Sequence, residues 1–143
     1  ESMDNKVSQV EDKLTRANVA DMPVAQFMTK QVVPLYADTT IRSAIHTFFK
    51  HQISGAPVVD QDGVLKGVVS EHDLLLQAAT KDLDSSISYT SPAITVKVDA
   101  KLKDLIVLFY KKKIKRIPVM GAGQRVVGVV SRIDLLTQLA LSE

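Results

Sequence analysis

The sequence predicts an α/β (α+β) chain of two tandem β-α-β-β-α repeats with pseudo-two-fold symmetry, preceded by an N-terminal helix. The first observation is an internal duplication. When the 143-residue sequence is shifted by 61 positions, residues 28–79 align without gaps with residues 89–140, and about a third of the pairs are identical. The second is that both copies show the same order of strand and helix patterns. Each copy is also too short to bury a core that would make it stable alone, so we expect the two to pack together.

Each copy starts with a short strand pattern, Val32–Tyr36 or Ile94–Val98, followed by an amphipathic helix pattern. Apolar residues then recur at i, i+3, i+4, i+7 and i+8, which predicts one buried helix face. These residues are Ile41, Ala44, Ile45, Phe48 and Phe49 in the first copy, and Leu102, Leu105, Ile106, Phe109 and Tyr110 in the second.

Two more strands and a second helix complete each copy. Strands over 56–60 and 117–120 are followed by glycine-containing turns, and further strands run to Ser70 and Ser131. We expect the second helix to bury a matching apolar set in each copy. This set is Leu74, Leu75, Ala78 and Ala79 in the first copy, and Leu135, Leu136, Leu139 and Ala140 in the second.

The spacing of Val7, Val10, Leu14 and Ala17 predicts a helix ahead of the repeats. We therefore divide the sequence into an N-terminal helical extension (1–19), a first repeat (20–79), a polar linker (80–88) and a second repeat (89–143).

Composition excludes several classes of protein. Cysteine is absent, which rules out disulfides, thiolate metal sites and a cysteine nucleophile; it also fits a reducing compartment, so we expect a cytoplasmic protein. The apolar runs are too short to span a membrane, and residues 1–20 are too polar for a signal peptide. We expect no membrane partner.

The sequence offers no catalytic or metal-binding motif. His46, His51 and His72 are not spaced by three or four residues, so no metal-binding helix pattern exists. Gly121-x-Gly123 lacks the third glycine of a dinucleotide fingerprint, and there is no phosphate-binding loop or nucleophile elbow. We therefore expect no catalytic residue, no metal, no cofactor and no enzymatic activity.

Positive charge is concentrated in one short run, although the net charge is only +2. Five of the six positions from 111 to 116 are cationic: Lys111, Lys112, Lys113, Lys115 and Arg116. One interpretation is a helix end whose cations complement the macrodipole. Another is a nucleic-acid surface, which the scarcity of aromatic residues for base stacking disfavours.

The two copies share an apolar-Pro-Val strand and the ending Gly-Val-Val-Ser-x-x-Asp-Leu-Leu, at Gly67–Leu75 and Gly128–Leu136. In this order, spacing and duplication, residues 20–141 resemble a CBS-domain pair, also called a Bateman module. The resemblance implies a regulatory module that binds adenine nucleotides or related adenosyl ligands in the cleft between its repeats. It also implies pairing into a disk-like homodimer, and control of an effector protein or domain that these residues do not contain.

The two Ser-x-x-Asp motifs, Ser70-x-x-Asp73 and Ser131-x-x-Asp134, have two interpretations. Each is a capping-box pattern at a strand-to-helix junction. Each Asp carboxylate could also accept both hydroxyls of a ribose cis-diol, because it offers two acceptor oxygens. The resemblance favours ribose binding by at least one of them.

The resemblance also implies which residues form two ligand sites. Site one would comprise Ser70, Asp73, Ile94, Ile114, Lys115 and Arg116; site two would comprise Ser131, Asp134, Val33, Ile53, Ser54 and Gly55, with Arg132 available for phosphate. The expected ligand is AMP, ADP or ATP, with S-adenosylmethionine as a further candidate. Because Lys115 and Arg116 have no cationic counterpart in the other copy, we expect site one to prefer phosphorylated ligands and site two to be weaker or empty.

Two other functions stay open at this stage. The chain could be a protein-interaction or dimerisation module without a ligand. Less favoured is a nucleic-acid binder that uses residues 111–116.

Overall fold

The computed structural model describes residues 2–16 and 18–142. Its helices are α1 (Met3–Arg16), α2 (Ile41–His51), α3 (Glu71–Thr80), α4 (Leu102–Lys112) and α5 (Arg132–Leu141). Its strands are β1 (Leu35–Tyr36), β2 (Gly55–Val59), β3 (Leu65–Ser70), β4 (Val96–Lys97), β5 (Arg116–Met120) and β6 (Val126–Ser131). The predicted mixed fold, with the order β-α-β-β-α in both copies, is confirmed. Ala17 of the predicted N-terminal helix lies outside the described residues.

The chain forms two compact units that are not continuous in sequence. The first-repeat unit comprises residues 32–94 and 122–126, and the second-repeat unit comprises residues 1–31, 95–121 and 127–143. Residues 20–31, the beginning of the predicted first repeat, belong to the second-repeat unit. The division at 20–79, 80–88 and 89–143 follows the sequence repeats and stays a prediction about domains.

In the first-repeat unit, β1 runs parallel to β2 and β2 runs antiparallel to β3. Helices α2 and α3 pack against each other. Ile87 lies in the segment predicted to be a linker, yet it is buried in the core of this unit. The buried residues of this core are Leu35, Ile41, Ala44, Phe48, Ala56, Val58, Val69, Leu74 and Ile87.

The segment after α3 is held to the first-repeat unit by polar contacts as well. The buried Gln77 side chain donates from Nε2 to the carbonyl of Ser88 (2.9 Å) and accepts from the Ser88 N–H (2.8 Å). The Arg42 N–H donates to the carbonyl of Leu83 (2.9 Å), and the Ile87 N–H to that of Thr39 (2.8 Å). This segment is therefore part of a folded unit, since both its backbone and its apolar side chains are engaged.

In the second-repeat unit, β4 runs parallel to β5, and the sheet order is β4-β5-β6. Helix α1 packs against α4 and buries Leu14, whose side chain belongs to the core of this unit. The buried residues of this core are Leu14, Val19, Ala20, Val24, Leu102, Leu105, Phe109, Ile117, Val119, Val130 and Leu135.

Residues 20–23 are joined to the start of α4. The N–H of Leu102 donates to the carbonyl of Met22 (2.9 Å), and that of Lys103 to the carbonyl of Ala20 (3.1 Å). Asp21 lies 3.4 Å from the Lys101 ammonium and 3.5 Å from that of Lys103. The hydrogen bond and charge of Lys101, with the charge of Lys103, lower the pKa of the exposed Asp21 carboxyl.

In each unit, one crossing segment passes alongside a strand next to a glycine that both copies share. This glycine is Gly67 in the first copy and Gly128 in the second. Thr90 exchanges two backbone hydrogen bonds with Val68 (3.0 and 2.9 Å), next to Gly67. Thr29 exchanges two with Val129 (both 2.9 Å), next to Gly128. A Cβ atom on Gly67 would clash with the Thr90 carbonyl, and one on Gly128 with the Met28 thioether. Close approach of the crossing segment, through its backbone at Gly67 and through the Met28 side chain at Gly128, therefore explains glycine at both positions.

Some apolar residues expected in the core are exposed. Phe49 is 87% exposed, Leu75 is 70% exposed and Leu136 is 59% exposed, so the prediction that they are buried is wrong. On each of these three helices, the apolar residues buried in a core lie in one column, which contains Phe48, Leu74 or Leu135. The neighbouring column faces away from the core and remains accessible.

The two glycines provide a matched test of the crossing segments. We expect Gly67→Ala to lower the free energy of unfolding by about 1–3 kcal/mol, because the new methyl meets a backbone carbonyl that cannot move alone. Gly128→Ala should cost clearly less, since the flexible Met28 side chain can turn away. Urea denaturation measures both losses. Equal losses, or a larger loss for Gly128→Ala, would contradict the proposed steric difference.

Candidate functional site

The first Ser-x-x-Asp motif joins β3 to α3. The Asp73 N–H donates to Ser70 Oγ (3.0 Å), and the Ser70 N–H donates to Asp73 Oδ2 (3.3 Å). This reciprocal pair is a capping box, so the structural interpretation of the motif holds. Within the described residues, Asp73 Oδ1 accepts no hydrogen bond, and the residue is half-buried. A carboxylate oxygen therefore remains available at the N-terminus of a helix, where backbone N–H groups favour anionic groups.

The second motif joins β6 to α5 and is more heavily engaged. Asp134 Oδ2 accepts from the Ser131 N–H (2.9 Å) and from Ser131 Oγ (3.1 Å). Thr29 Oγ1 also lies 3.1 Å from Asp134 Oδ1 and 3.2 Å from Oδ2, so one hydroxyl hydrogen is shared between the two oxygens. Both carboxylate oxygens of Asp134 thus already have a donor.

Thr29 is a candidate site residue that no sequence motif indicates. It lies in the segment 20–31, which crosses to the second-repeat unit, and its backbone pairs with Val129. The duplication does point to this residue, because Thr29 aligns with an identical residue, Thr90. The backbone of Thr90 pairs with Val68 in the same manner, but its hydroxyl makes no hydrogen bond to Asp73 in the described part of the chain.

The first-repeat unit also brings together several residues that were predicted for site two. Gly55 is the β-sheet partner of Ser70, and the Ser54 carbonyl accepts from the Glu71 N–H (2.8 Å). The turn formed by Ile53, Ser54 and Gly55 therefore lies beside the N-terminus of α3. It borders an open depression of about 560 Å³, lined by Phe48, Phe49, Lys50, Gln52, Ile53, Ser54 and Glu71.

The equivalent turn of the second-repeat unit lies between α4 and β5. Ile114 is half-buried against the core, Lys115 is exposed, and the half-buried Arg116 begins β5. Arg132 is exposed at the first position of α5.

The two remaining predicted site residues, Val33 and Ile94, lie in the irregular stretches before β1 and β4. Val33 is half-buried, and Ile94 is 40% exposed. Both are assigned to the first-repeat unit. Their roles as ligand contacts stay predictions.

Two negative findings concern the described residues alone. They contain no group of three or more His, Asp or Glu side chains arranged to hold a metal ion. No helix among them is long and apolar enough to cross a membrane.

The unequal threonines give a test of the Asp134 network. Thr29→Val should lower the free energy of unfolding by about 1 kcal/mol, because it removes the donor shared by the Asp134 oxygens. Thr90→Val, the aligned control, should leave stability nearly unchanged. Chemical denaturation of both variants measures the difference. The assigned hydrogen bond is contradicted if the two variants are equally stable.

Comparison with known proteins accounts for the whole duplication. The family model described as "CBS domain" matches residues 24–79 and again residues 85–141. Among curated proteins, MJ1426 of Methanocaldococcus jannaschii is 28% identical, over 82% of this chain and 91% of its own length. The inosine-5'-monophosphate dehydrogenase of the same organism is 26% identical over 78% of this chain, and the chain spans only 22% of that enzyme's length.

Solved structures share the fold. CBSX2 in complex with AMP has a TM-score of 0.75 at 24% identity, and covers 85% of this chain and 98% of its own. The CBS domain pair of protein MJ0100, in complex with 5'-methylthioadenosine and S-adenosyl-L-methionine, has a TM-score of 0.76 at 24% identity with the same coverages. With two matched domains spanning most of its length and this fold, the chain belongs to the CBS-domain family.

Proposed function

We propose that this chain is a regulatory module that binds an adenosine-containing ligand and has no catalytic activity of its own. The proposed ligand is AMP, ADP or ATP, with S-adenosylmethionine as the second candidate. The complexes of CBSX2 with AMP and of MJ0100 with S-adenosyl-L-methionine support this class of ligand. The ligand would bind one conformation of the module more tightly than another and so shift the equilibrium between them. An effector protein or domain would respond to this shift.

The observation that carries the proposal is the state of the Asp73 carboxylate. Its Oδ2 completes the capping box, while its Oδ1 has no donor among the described residues. A ribose cis-diol supplies two O–H donors on adjacent carbons, and a carboxylate has enough lone pairs to accept them while keeping its cap. Capping and ligand binding are therefore compatible roles of one side chain.

The residues proposed for each ligand are those that the resemblance implies. The hydrogen bonds of Asp73 and Asp134 indicate which of the two sets should bind more tightly. One ligand would be held by Ser70, Asp73, Ile94, Ile114, Lys115 and Arg116, and a second by Ser131, Asp134, Val33, Ile53, Ser54, Gly55 and Arg132. The second set should bind more weakly, because a ribose must compete with Thr29 for both oxygens of Asp134.

The conservative variant Asp73→Asn separates ligand binding from capping. Its amide oxygen can still accept from the Ser70 N–H, so stability should change by less than about 1 kcal/mol. Its amide nitrogen, however, is a donor facing the ribose hydroxyls, so affinity for AMP should fall about 30-fold or more. Calorimetric titration with AMP and ATP, together with denaturation, measures both effects. Asp134→Asn is the matched control and should weaken this binding much less.

The outcomes separate the open alternatives. If adenosine, AMP, ADP, ATP and S-adenosylmethionine all fail to bind wild-type protein at millimolar concentration, the ligand-free interaction module is favoured. If ligand binds equally to wild type and Asp73→Asn, Asp73 has only its capping role.

We also propose that two copies associate through their exposed helical apolar residues. In the first-repeat unit these are Phe49, Leu75 and Leu76, which are 87%, 70% and 64% exposed. Large exposed apolar residues on neighbouring helices are typical of interaction surfaces, and two-fold pairing is the commonest assembly.

Light scattering at about 100 µM tests this association. Wild type should have the mass of a dimer, and Phe49→Glu/Leu75→Glu should be monomeric, because burying the new charges is costly. Gln61→Glu in the turn between β2 and β3 is the control and should remain dimeric. A monomeric wild type would refute the homodimer without affecting the proposal for ligand binding.

A further inference from the structure

Helix α1 buries little apolar area for a helix that packs in a folded unit. After Met3, its apolar residues are Val7, Val10 and Leu14, spaced i, i+3 and i+7. In the part of the helix whose side chains are described, Leu14 alone is buried and the two valines are half-buried. Apolar burial provides most of the stability of a docked helix, and polar contacts at the surface add little. Helix α1 is therefore held loosely against α4.

The segment that follows α1 is held far more firmly to the same unit. Residues 20–23 bond to the start of α4. The Val24 N–H donates to the carbonyl of Ala100 (2.7 Å), and the Ala25 N–H donates to that of Val98 (3.2 Å). These backbone bonds do not involve α1, so the segment keeps its place when the helix leaves.

A turn separates the loosely held helix from this segment. Asn18 has a left-handed backbone conformation (φ 61°), and the Val19 N–H donates to the carbonyl of Leu14 (3.1 Å). Helices commonly end at such a turn, and a few residues between two rigid segments can act as a hinge. Helix α1 can therefore leave α4 as one body.

The face of α4 that α1 covers is more apolar than the repeat fold requires. Leu14 joins the core that contains Leu105 of α4, and residues 106–108 of that helix are all apolar and half-buried. The aligned residues of α2 include His46 and Thr47. The first copy forms the same strand and helix order without such a face, so the face has a purpose other than forming the repeat.

We infer that this face of α4 is a docking site for an amphipathic helix of a partner protein, and that α1 covers the site while the partner is absent. The partner helix has apolar residues at the spacing of Val7, Val10 and Leu14, and they are larger than valine at the first two positions. Helices dock in apolar grooves through anchors with this spacing. Because α1 is tethered beside the site, it competes with the partner and lowers the apparent affinity. The inference goes beyond the proposed ligand binding and does not depend on it.

Fluorescence anisotropy of a labelled peptide tests the inference on the full chain without any ligand. The peptide has the sequence of residues 2–16 with the changes Val7→Leu and Val10→Leu. Wild type should bind it weakly. Ser8→Pro should bind it at least about tenfold more tightly, because proline breaks α1 at an exposed position and leaves the buried side chains intact. Met3→Pro is the matched control and should bind like wild type, since the first position of a helix tolerates proline.

Hydrogen–deuterium exchange of the wild-type chain tests the opening of α1 directly. The amides of residues 7–14 should exchange faster than the hydrogen-bonded amides of Val24, Ala25 and Thr29, because a loosely docked helix opens without global unfolding. Equal protection of the two sets would show that α1 does not open, and the inference would be wrong.

Three results of the peptide experiment would also overturn the inference. The first is equal binding to Ser8→Pro and Met3→Pro. The second is equal binding of a peptide that carries Leu14→Glu, since the anchor would then be irrelevant. The third is a peptide that dissociates a wild-type dimer while Ser8→Pro is monomeric by light scattering, because α1 of a second copy would then occupy the site. The proposed ligand binding stands in all three cases.

Discussion

The backbone pairing of the crossing segments is the constraint on which both units depend. Residues 20–31 complete the second-repeat unit, and the segment after α3 completes the first-repeat unit. Each segment is fixed by a reciprocal pair of hydrogen bonds, at Thr29–Val129 and Val68–Thr90. Each sheet in the described part of the chain has three strands, so without these segments much of each small core would face water. The buried Ile87 and Val24 show that the segments contribute apolar area as well as hydrogen bonds.

The same pairing makes the two Ser-x-x-Asp motifs unequal. It brings the hydroxyl of Thr29 to Asp134, whereas the aligned Thr90 leaves Asp73 with an oxygen that has no donor among the described residues. In both motifs the Asp carboxylate accepts from the N–H of the Ser that precedes the helix, so this bond alone cannot distinguish the copies. The difference lies in how much acceptor capacity each carboxylate retains for a ligand. The copies differ in charge as well, because Lys113, Lys115 and Arg116 have uncharged residues at the aligned positions of the first copy.

Helix α1 packs against α4, and a sequence difference between α4 and α2 explains why it does so. In α4, Ile106, Val107 and Leu108 form a continuous apolar run, and all three are half-buried. At the aligned positions, α2 has one apolar residue, Ile45, followed by His46 and Thr47. The apolar face of α4 is therefore wider than that of α2 and needs more apolar area packed against it. Helix α1 provides this area with Val10 and Leu14. The helix thus packs on the copy whose sequence requires it.

Local patterns in the sequence determined much of this protein. The duplication, the strand and helix order, the capping boxes and the cationic run all depend on residues close together in the chain, where periodicity and motif spacing act. The tertiary structure alone decided which segment completes which unit, because residues such as Thr29 and Asp134 are 105 positions apart and share no local pattern. It also decided that Phe49 and Leu75 are exposed. Helical spacing predicts an apolar face, but the packing of the helix within its unit sets how much of that face is buried.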